Sequence, residues 1–226
     1  MSRRDLIDPD ARGPLDQLLQ LMPGGFNAIA DIVERRAAAL QLLAALDVPP
    51  NPNVVSADRA IPGPHGAPDI TMRVYRPADA TGTRPGIARD RGFPALRFQM
   101  PIYPMIDDRN ETPSSHEITD IGIWDRSANI EAWRWYLGNG KPDHYAAPAR
   151  AEDLAGLPAT FIDVGTVDLF RDEDIALATR LMQAGVPTEL HVNPGAYHAA
   201  EMLAPESALS ERIWTRRIEA LRRALA

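Results

Sequence analysis

The sequence predicts an α/β protein built on a mostly parallel sheet, and three observations in its C-terminal third carry that reading. A short apolar stretch, Ala159 to Val164 (ATFIDV), precedes a helical period over Arg171 to Ala184. A second stretch, Thr188 to Val192 (TELHV), precedes another helical period over Glu206 to Leu225. The links between them are short, and strand–helix–strand–helix order with short links lays neighbouring strands parallel. The helix at 171–184 opens with Asp172, Glu173 and Asp174, where negative charge suits the positive end of the dipole. Gly185 and Pro187 follow it as stop signals. Ile175, Leu177, Ala178, Leu181 and Met182 form its apolar side, and Trp214, Ile218, Leu221 and Leu225 form that of the last helix.

The remaining elements follow in chain order. Pro14 suits the first turn of a helix carrying Leu15, Leu18, Leu19 and Met22 at three- and four-residue spacing. Pro23-Gly24-Gly25 breaks that pattern. A second helix is expected over Phe26 to Leu46, with Ile29, Ile32, Val33, Leu40 and Leu43 on a side that must lie on something. Prolines 49, 50 and 52 end it. Val54 to Ile61 and Ile70 to Tyr75 read as strands joined by the turn-rich PGPHGAPD at 62–69. After a loop-like stretch, Leu96 to Met105 reads as a buried strand that Pro101 and Pro104 confine to its front part. Residues 107–146 are polar and loop-like around one aromatic helix, Ser127 to Leu137, with Trp133, Trp135 and Tyr136.

Composition narrows the function classes. Of 226 residues, 45% are apolar and 24% charged, which is ordinary for a globular domain. Lys and Arg number 24 against 31 Asp and Glu, a net charge of -7 that disfavours nucleic-acid or anionic-membrane binding. The absence of cysteine excludes disulfides, thiolate nucleophiles and cysteine metal sites. No run approaches the roughly 18 apolar residues of a membrane span, and MSRRDLIDPD has no apolar stretch after its arginines. A cytoplasmic protein without cofactor is the expectation. The histidines at 65, 116, 144, 191 and 198 show no metal-binding spacing, and no strand is followed by a glycine-rich phosphate loop. Arg216, Arg217, Arg222 and Arg223 read as a solvated helix face.

The chemistry falls at the two strand ends. Gly165-Thr166-Val167-Asp168 follows the first strand and Asn193-Pro194-Gly195-Ala196-Tyr197-His198 the second. Ligands of open α/β sheets gather beyond the carboxyl ends of strands. An acid on one such loop and a histidine on the next suit an acid that orients a base. A helix cap and a surface histidine are the alternative reading of the same two residues.

Longer stretches carry a family resemblance: VYRPADATGTRPG at 74–86, ARDRGFPALRFQMPIYPMIDDRNETPSSHE at 88–117, IWDRSANIEAWRWYLG at 123–138, LAGLPATFIDVGTVDLFRDED at 154–174 and NPGAYHAAE at 193–201. In this order they resemble the hormone-sensitive-lipase-like bacterial carboxylesterases of the α/β-hydrolase fold. The resemblance implies a sheet flanked by helices, an N-terminal helical cap over residues 1–50, and an α/β-hydrolase domain over 51–226 whose 107–146 segment joins the cap and pocket. It implies short- to medium-chain carboxylic esters as substrates. It also maps the triad acid of the D-x-x-R-D-E element to Asp168 and the general base to His198.

One departure matters as much. Such esterases carry H-G-G-G, which supplies oxyanion donors, and G-D-S-A-G, which presents the nucleophile. This sequence runs PADATGTRPG directly into IARDRG, with neither motif. His65-Gly66-Ala67 precedes strand 70–75 and reads as a turn. Of the serines at 2, 56, 114, 115, 127, 207 and 210, none has glycine at both −2 and +2, and Ser115 belongs to the cap-side segment. The expectation is a domain whose central strands are deleted at 86/87, by about 90 residues at roughly 30 per βα unit. Ester hydrolysis by such a chain would be absent or severely impaired. The alternative is a non-catalytic relative or interaction module of the same fold. Unpaired strand edges would favour homo-oligomers.

Overall fold

The computed structural model describes residues 3–45, 52, 54–61, 68–77, 96–121 and 123–225. They group into two compact units, Met1–Gln41 with Gly86–Ala226, and Leu42–Pro85. The 86/87 junction and the turn at His65-Gly66-Ala67 lie outside the described residues.

The smaller unit holds an antiparallel hairpin of β1 (Val54–Ile61) and β2 (Ile70–Pro77), in register from Val54 opposite Pro77 to Ile61 opposite Ile70. Asp58 therefore stands directly opposite Arg73.

The larger unit is built on a three-stranded parallel sheet in the order β3–β4–β5: Phe98–Gln99, Ala159–Gly165 and Thr188–Asn193. Residues 160–165 of β4 are all buried. A central parallel strand is covered on both faces, which is why its sequence is a run of apolar residues rather than an alternation. β3 is shorter than the stretch expected at 96–101. Pro101, just after it, has no N–H to give the ladder, and pairing continues only through a bridge between Ile102 and Asp163.

The α-helices of the described residues are α1 (Pro9–Leu21), α2 (Ile32–Ala45), α3 (Pro113–Glu117), α4 (Arg126–Leu137), α5 (Arg171–Gln183), α6 (Ala200–Leu203) and α7 (Ala208–Leu225). α5 links β4 to β5, and its Ala178 and Leu181 pack with Leu154, Ile162 and Val186 in one core cluster. A larger cluster joins Ile7, Ala11 and Leu15 to Val164, Leu169, Phe170, Tyr197, Leu209 and Ile213, so α1 packs against the strand-end loops and α7.

Four boundaries or faces differ from the sequence reading. α1 starts at Pro9, because the Asp8 carboxylate accepts the Asp10 N–H (3.0 Å) and Pro9 occupies the first turn. Pro14 therefore lies inside the helix, where it deprives the Asp10 carbonyl of its helical donor. The helix expected over 26–46 is broken. A 3-10 turn at Gly25–Ala28 precedes α2, whose start is capped by Asp31 accepting from Val33 and Glu34 (2.9 and 3.0 Å). Val33, Leu40 and Leu43 are exposed, and the buried residue of α2 is Arg35, which pairs with Glu131 (2.9 Å) and lies over the Trp135 ring. α7 buries Leu209, Ile213, Arg217 and Ala220 and exposes Trp214, Ile218, Leu221 and Leu225. Among the described residues, no helix is long and apolar enough to cross a membrane.

Candidate active site

The loops after β4 and β5 are fastened to each other. The Thr166 N–H donates to the Asn193 carbonyl (3.0 Å), the Val167 N–H to the Ala196 carbonyl (3.0 Å), and the Gly195 N–H to the Thr166 hydroxyl (2.9 Å). Gly165 permits this approach, since a Cβ there would sit 2.0 Å from the Ala196 carbonyl oxygen. Gly195 has φ +78° and its carbonyl accepts the Asp8 N–H, so a side chain would strain the backbone and strike α1's leading residue.

This zipper brings Asp168 and His198 together across thirty residues of sequence. The Asp168 carboxylate is fully buried. One oxygen accepts the Phe170 N–H (3.1 Å), and the other accepts from Nδ1 of His198 (3.1 Å). An ionised carboxylate can only accept, so Nδ1 carries the hydrogen of this bond, and in a neutral imidazole so held the lone pair falls on Nε2.

Aromatic rings surround the imidazole. Tyr103 and Phe170 meet it edge-on at 4.5 and 5.4 Å between centroids, and Trp124 lies tilted against it at 5.9 Å. With Ile102, Pro104 and Met105 they line an open pocket of about 310 Å³ that includes His198. The lining is mostly aromatic and aliphatic, as suits an apolar group brought to a base.

Among the described serines of this unit, none reaches that base. Ser114 Oγ donates to the Leu169 carbonyl (2.7 Å) and Ser115 Oγ to the Thr112 carbonyl (2.8 Å). Ser127 bonds Asp125, Ser210 bonds the Ala204 carbonyl, and Ser207 is held against both the Ala204 carbonyl and Ser210. Ser56 lies on β1 of the other unit. Nor is any group of three or more His, Asp or Glu placed to hold a metal ion among the described residues.

Behind the pair lies a set of buried charges that sequence reasoning missed. Arg217, expected on a solvated face, is buried between Asp163 (2.8 and 3.1 Å) and Glu201 (2.7 Å). Burial pushes the Asp163 carboxyl up despite that guanidinium. Burial also pushes Glu173 up to about 8, against the N–H bonds it accepts from Ile106 and Asp107. Asp174, with neither oxygen hydrogen-bonded, is raised well above the usual carboxylate range. The available signal was Asp163 itself: an acid inside an apolar strand needs a buried partner.

A fold of parallel strands flanked by helices, with an Asp–His pair at adjacent strand ends, is that of an α/β hydrolase. A family model described as alpha/beta hydrolase fold matches residues 86–202, and the chain belongs to this alpha/beta hydrolase family. It is 40% identical over 107 residues to esterase LipI of Mycobacterium tuberculosis, covering 46% of this chain and 33% of that protein. With carboxylesterase NlhH of the same organism it shares 34% identity over 144 residues, covering 62% and 45% respectively. The chain thus spans a third to just under half of the length of these curated relatives. Among solved structures it resembles a bacterial heroin esterase, with TM-score 0.82, 25% identity and 100% of both chains covered. The fold also matches esterase LipW from Mycobacterium marinum, with TM-score 0.68, 24% identity, and 98% and 97% coverage.

Proposed function

We propose that the chain carries the acid–base half of a carboxylic ester hydrolase for short- to medium-chain acyl esters, and that as it stands it turns esters over slowly or not at all. The observation that carries this is the 3.1 Å bond from His198 to buried Asp168 at an apolar pocket, with every described serine hydroxyl of that unit engaged elsewhere. In a complete site, Nε2 takes the proton of a serine hydroxyl as that oxygen attacks the ester carbonyl, then returns it to the leaving alcohol. Asp168 keeps the imidazole in the tautomer that can accept. Without the serine, His198 has only water to deprotonate, and the sequence lacks the H-G-G-G donors that would meet the developing oxyanion. The names of LipI and NlhH, an esterase and a carboxylesterase, support an ester as the substrate class. The N-terminal helices and the 107–146 segment are proposed to wall the pocket, since Trp124 already lines it.

The test is hydrolysis of p-nitrophenyl acetate and butyrate. The chain is expected to match His198→Ala within error. Inserting a family segment bearing H-G-G-G and G-D-S-A-G between Gly86 and Ile87 should raise the rate at least ~1000-fold, and His198→Ala in that graft should abolish the gain. Robust hydrolysis by the chain itself, lost in Ser115→Ala, would overturn the proposal. A folded graft without activity would favour the non-catalytic reading.

A further inference from the structure

We infer that Tyr103 is a positioning residue for His198, held against the imidazole by the buried Glu201–Arg217–Asp163 network. This deepens the reading of His198 as a base and rests on it. Asp168 fixes one edge of the ring with a single 3.1 Å bond, so rotation about that contact is left to the rings packed against the imidazole, of which Tyr103 is the nearest. Tyr103 supplies the second constraint, its ring edge-on to His198 at 4.5 Å with 65° between planes.

Tyr103 is itself pinned at both ends. Its N–H donates to the Asp163 carbonyl (2.8 Å), and its hydroxyl donates to Glu201 Oε1 (2.8 Å). Its backbone has φ +33°, a strained region for a side-chain-bearing residue that persists only where the surroundings over-determine it. The same Glu201 oxygen accepts from Arg217 (2.7 Å), and Arg217 forks onto Asp163. Asp163, Glu201 and Arg217 are 1%, 3% and 5% exposed, so no water competes for these bonds. Burial and Glu201 push the Tyr103 phenol upward, which keeps it a donor. Glu201 lies three residues beyond His198, so the hydroxyl bond ties the Tyr103 ring to the segment that carries the imidazole. Asp163 lies on β4 and Arg217 on α7, so the network references the ring to the sheet as well as to the loop.

The experiment is NMR of the full chain labelled with 15N-histidine, following the downfield His198 Nδ1–H proton and its exchange with water. Asp168→Asn identifies that proton by removing it. Tyr103→Phe keeps the ring and loses the anchor, and should speed the exchange about tenfold, the factor set by one hydrogen bond to a charged acceptor. Glu201→Gln should leave exchange unchanged, because one amide oxygen can accept both bonds. If Tyr103→Phe does not fold, Glu201→Leu breaks the same bond from the other side, and the same tenfold change is expected. A merely structural role would lower the melting temperature and leave exchange below it unaltered, and that result overturns the inference. Absence of the proton from the unsubstituted chain overturns the Asp168–His198 reading and this inference together. Its presence with unchanged exchange in folded Tyr103→Phe overturns the inference alone.

Discussion

The two compact units each contain an arginine forked onto an aspartate, with nearly the same geometry. Arg217 meets Asp163 at 2.8 and 3.1 Å, and Arg73 meets Asp58 at 2.7 and 2.9 Å. Their surroundings differ completely: the side chains are 6% and 2% exposed in the first pair, 59% and 47% in the second. The two carboxyls respond in opposite directions. The hydrogen bonds from Arg73 lower Asp58, whereas burial raises Asp163 in spite of Arg217. Geometry alone therefore does not say what an ion pair contributes. Desolvation decides, and it makes the buried fork a place where removing one partner is worse than never having had the pair.

That difference is tested most severely by Arg217→Met. The substitution keeps an apolar stem against Trp214 and Tyr103, over which the guanidinium lies at 5.2 and 5.5 Å, and strands two buried carboxylates. A loss of about 3–5 kcal/mol is expected by chemical denaturation. A loss below about 1 kcal/mol would put the buried fork on a par with a surface pair and break the comparison.

A smaller effect comes from acids in the larger unit that have no arginine. Glu173 has an ordinary value of 4.5 and is pushed to about 8 in the fold, and Asp174 is raised as well. Both hold a proton when folded over a range where the unfolded chain has released it. Folding then takes up protons, so this contribution is fully present below about pH 4.5 and is lost as pH rises toward 8, by roughly 1 kcal/mol per pH unit for Glu173. The urea midpoint at pH 5.5 should exceed that at pH 7.5. Glu173→Gln should flatten the slope, since the amide does not titrate while its oxygen can still accept the Ile106 and Asp107 N–H groups. A slope of the opposite sign would mean these carboxyls are solvated or paired in the native chain.

How much of this was legible follows from the range of each interaction. The β4–α5–β5–α7 succession was readable because it rests on local periodicity and stop signals. Asp168 and His198 were readable because strand-end loops concentrate chemistry and the family motifs fall on them, and the structure places their side chains in contact. Arg217 was not, since its partners lie 54 and 16 residues away and a cluster of four arginines looks like solvent-facing charge. The same bonds explain the misread face of α7. Turning Arg217 inward carries Ile213 and Ala220 with it and leaves Trp214, Ile218 and Leu221 outside. The α2 error has a similar origin. Arg35 finds Glu131, the Ile29 carbonyl and the Trp135 ring on one side, and Val33 and Leu40 are exposed on others. In both helices a paired arginine outranked an apolar stripe that hydropathy alone would have buried.

The smallest expected effect is the one that makes the comparison sharp. Arg73→Met removes a fork as well formed as that of Arg217, directly across the ladder from Asp58. The liberated Asp58 carboxylate remains in water, so no desolvation penalty is left uncompensated, and the exposed pair is screened by ordinary salt with a Debye length of about 8 Å. Amide hydrogen exchange of β1 and β2 is the suitable readout, because a hairpin can open locally without global unfolding. Protection should be indistinguishable from that of the unsubstituted chain at physiological ionic strength, with any difference confined to low salt. A loss of protection that persists in molar salt would show that the fork holds the hairpin through geometry rather than charge, and the contrast with Arg217 would then rest on topology instead of burial.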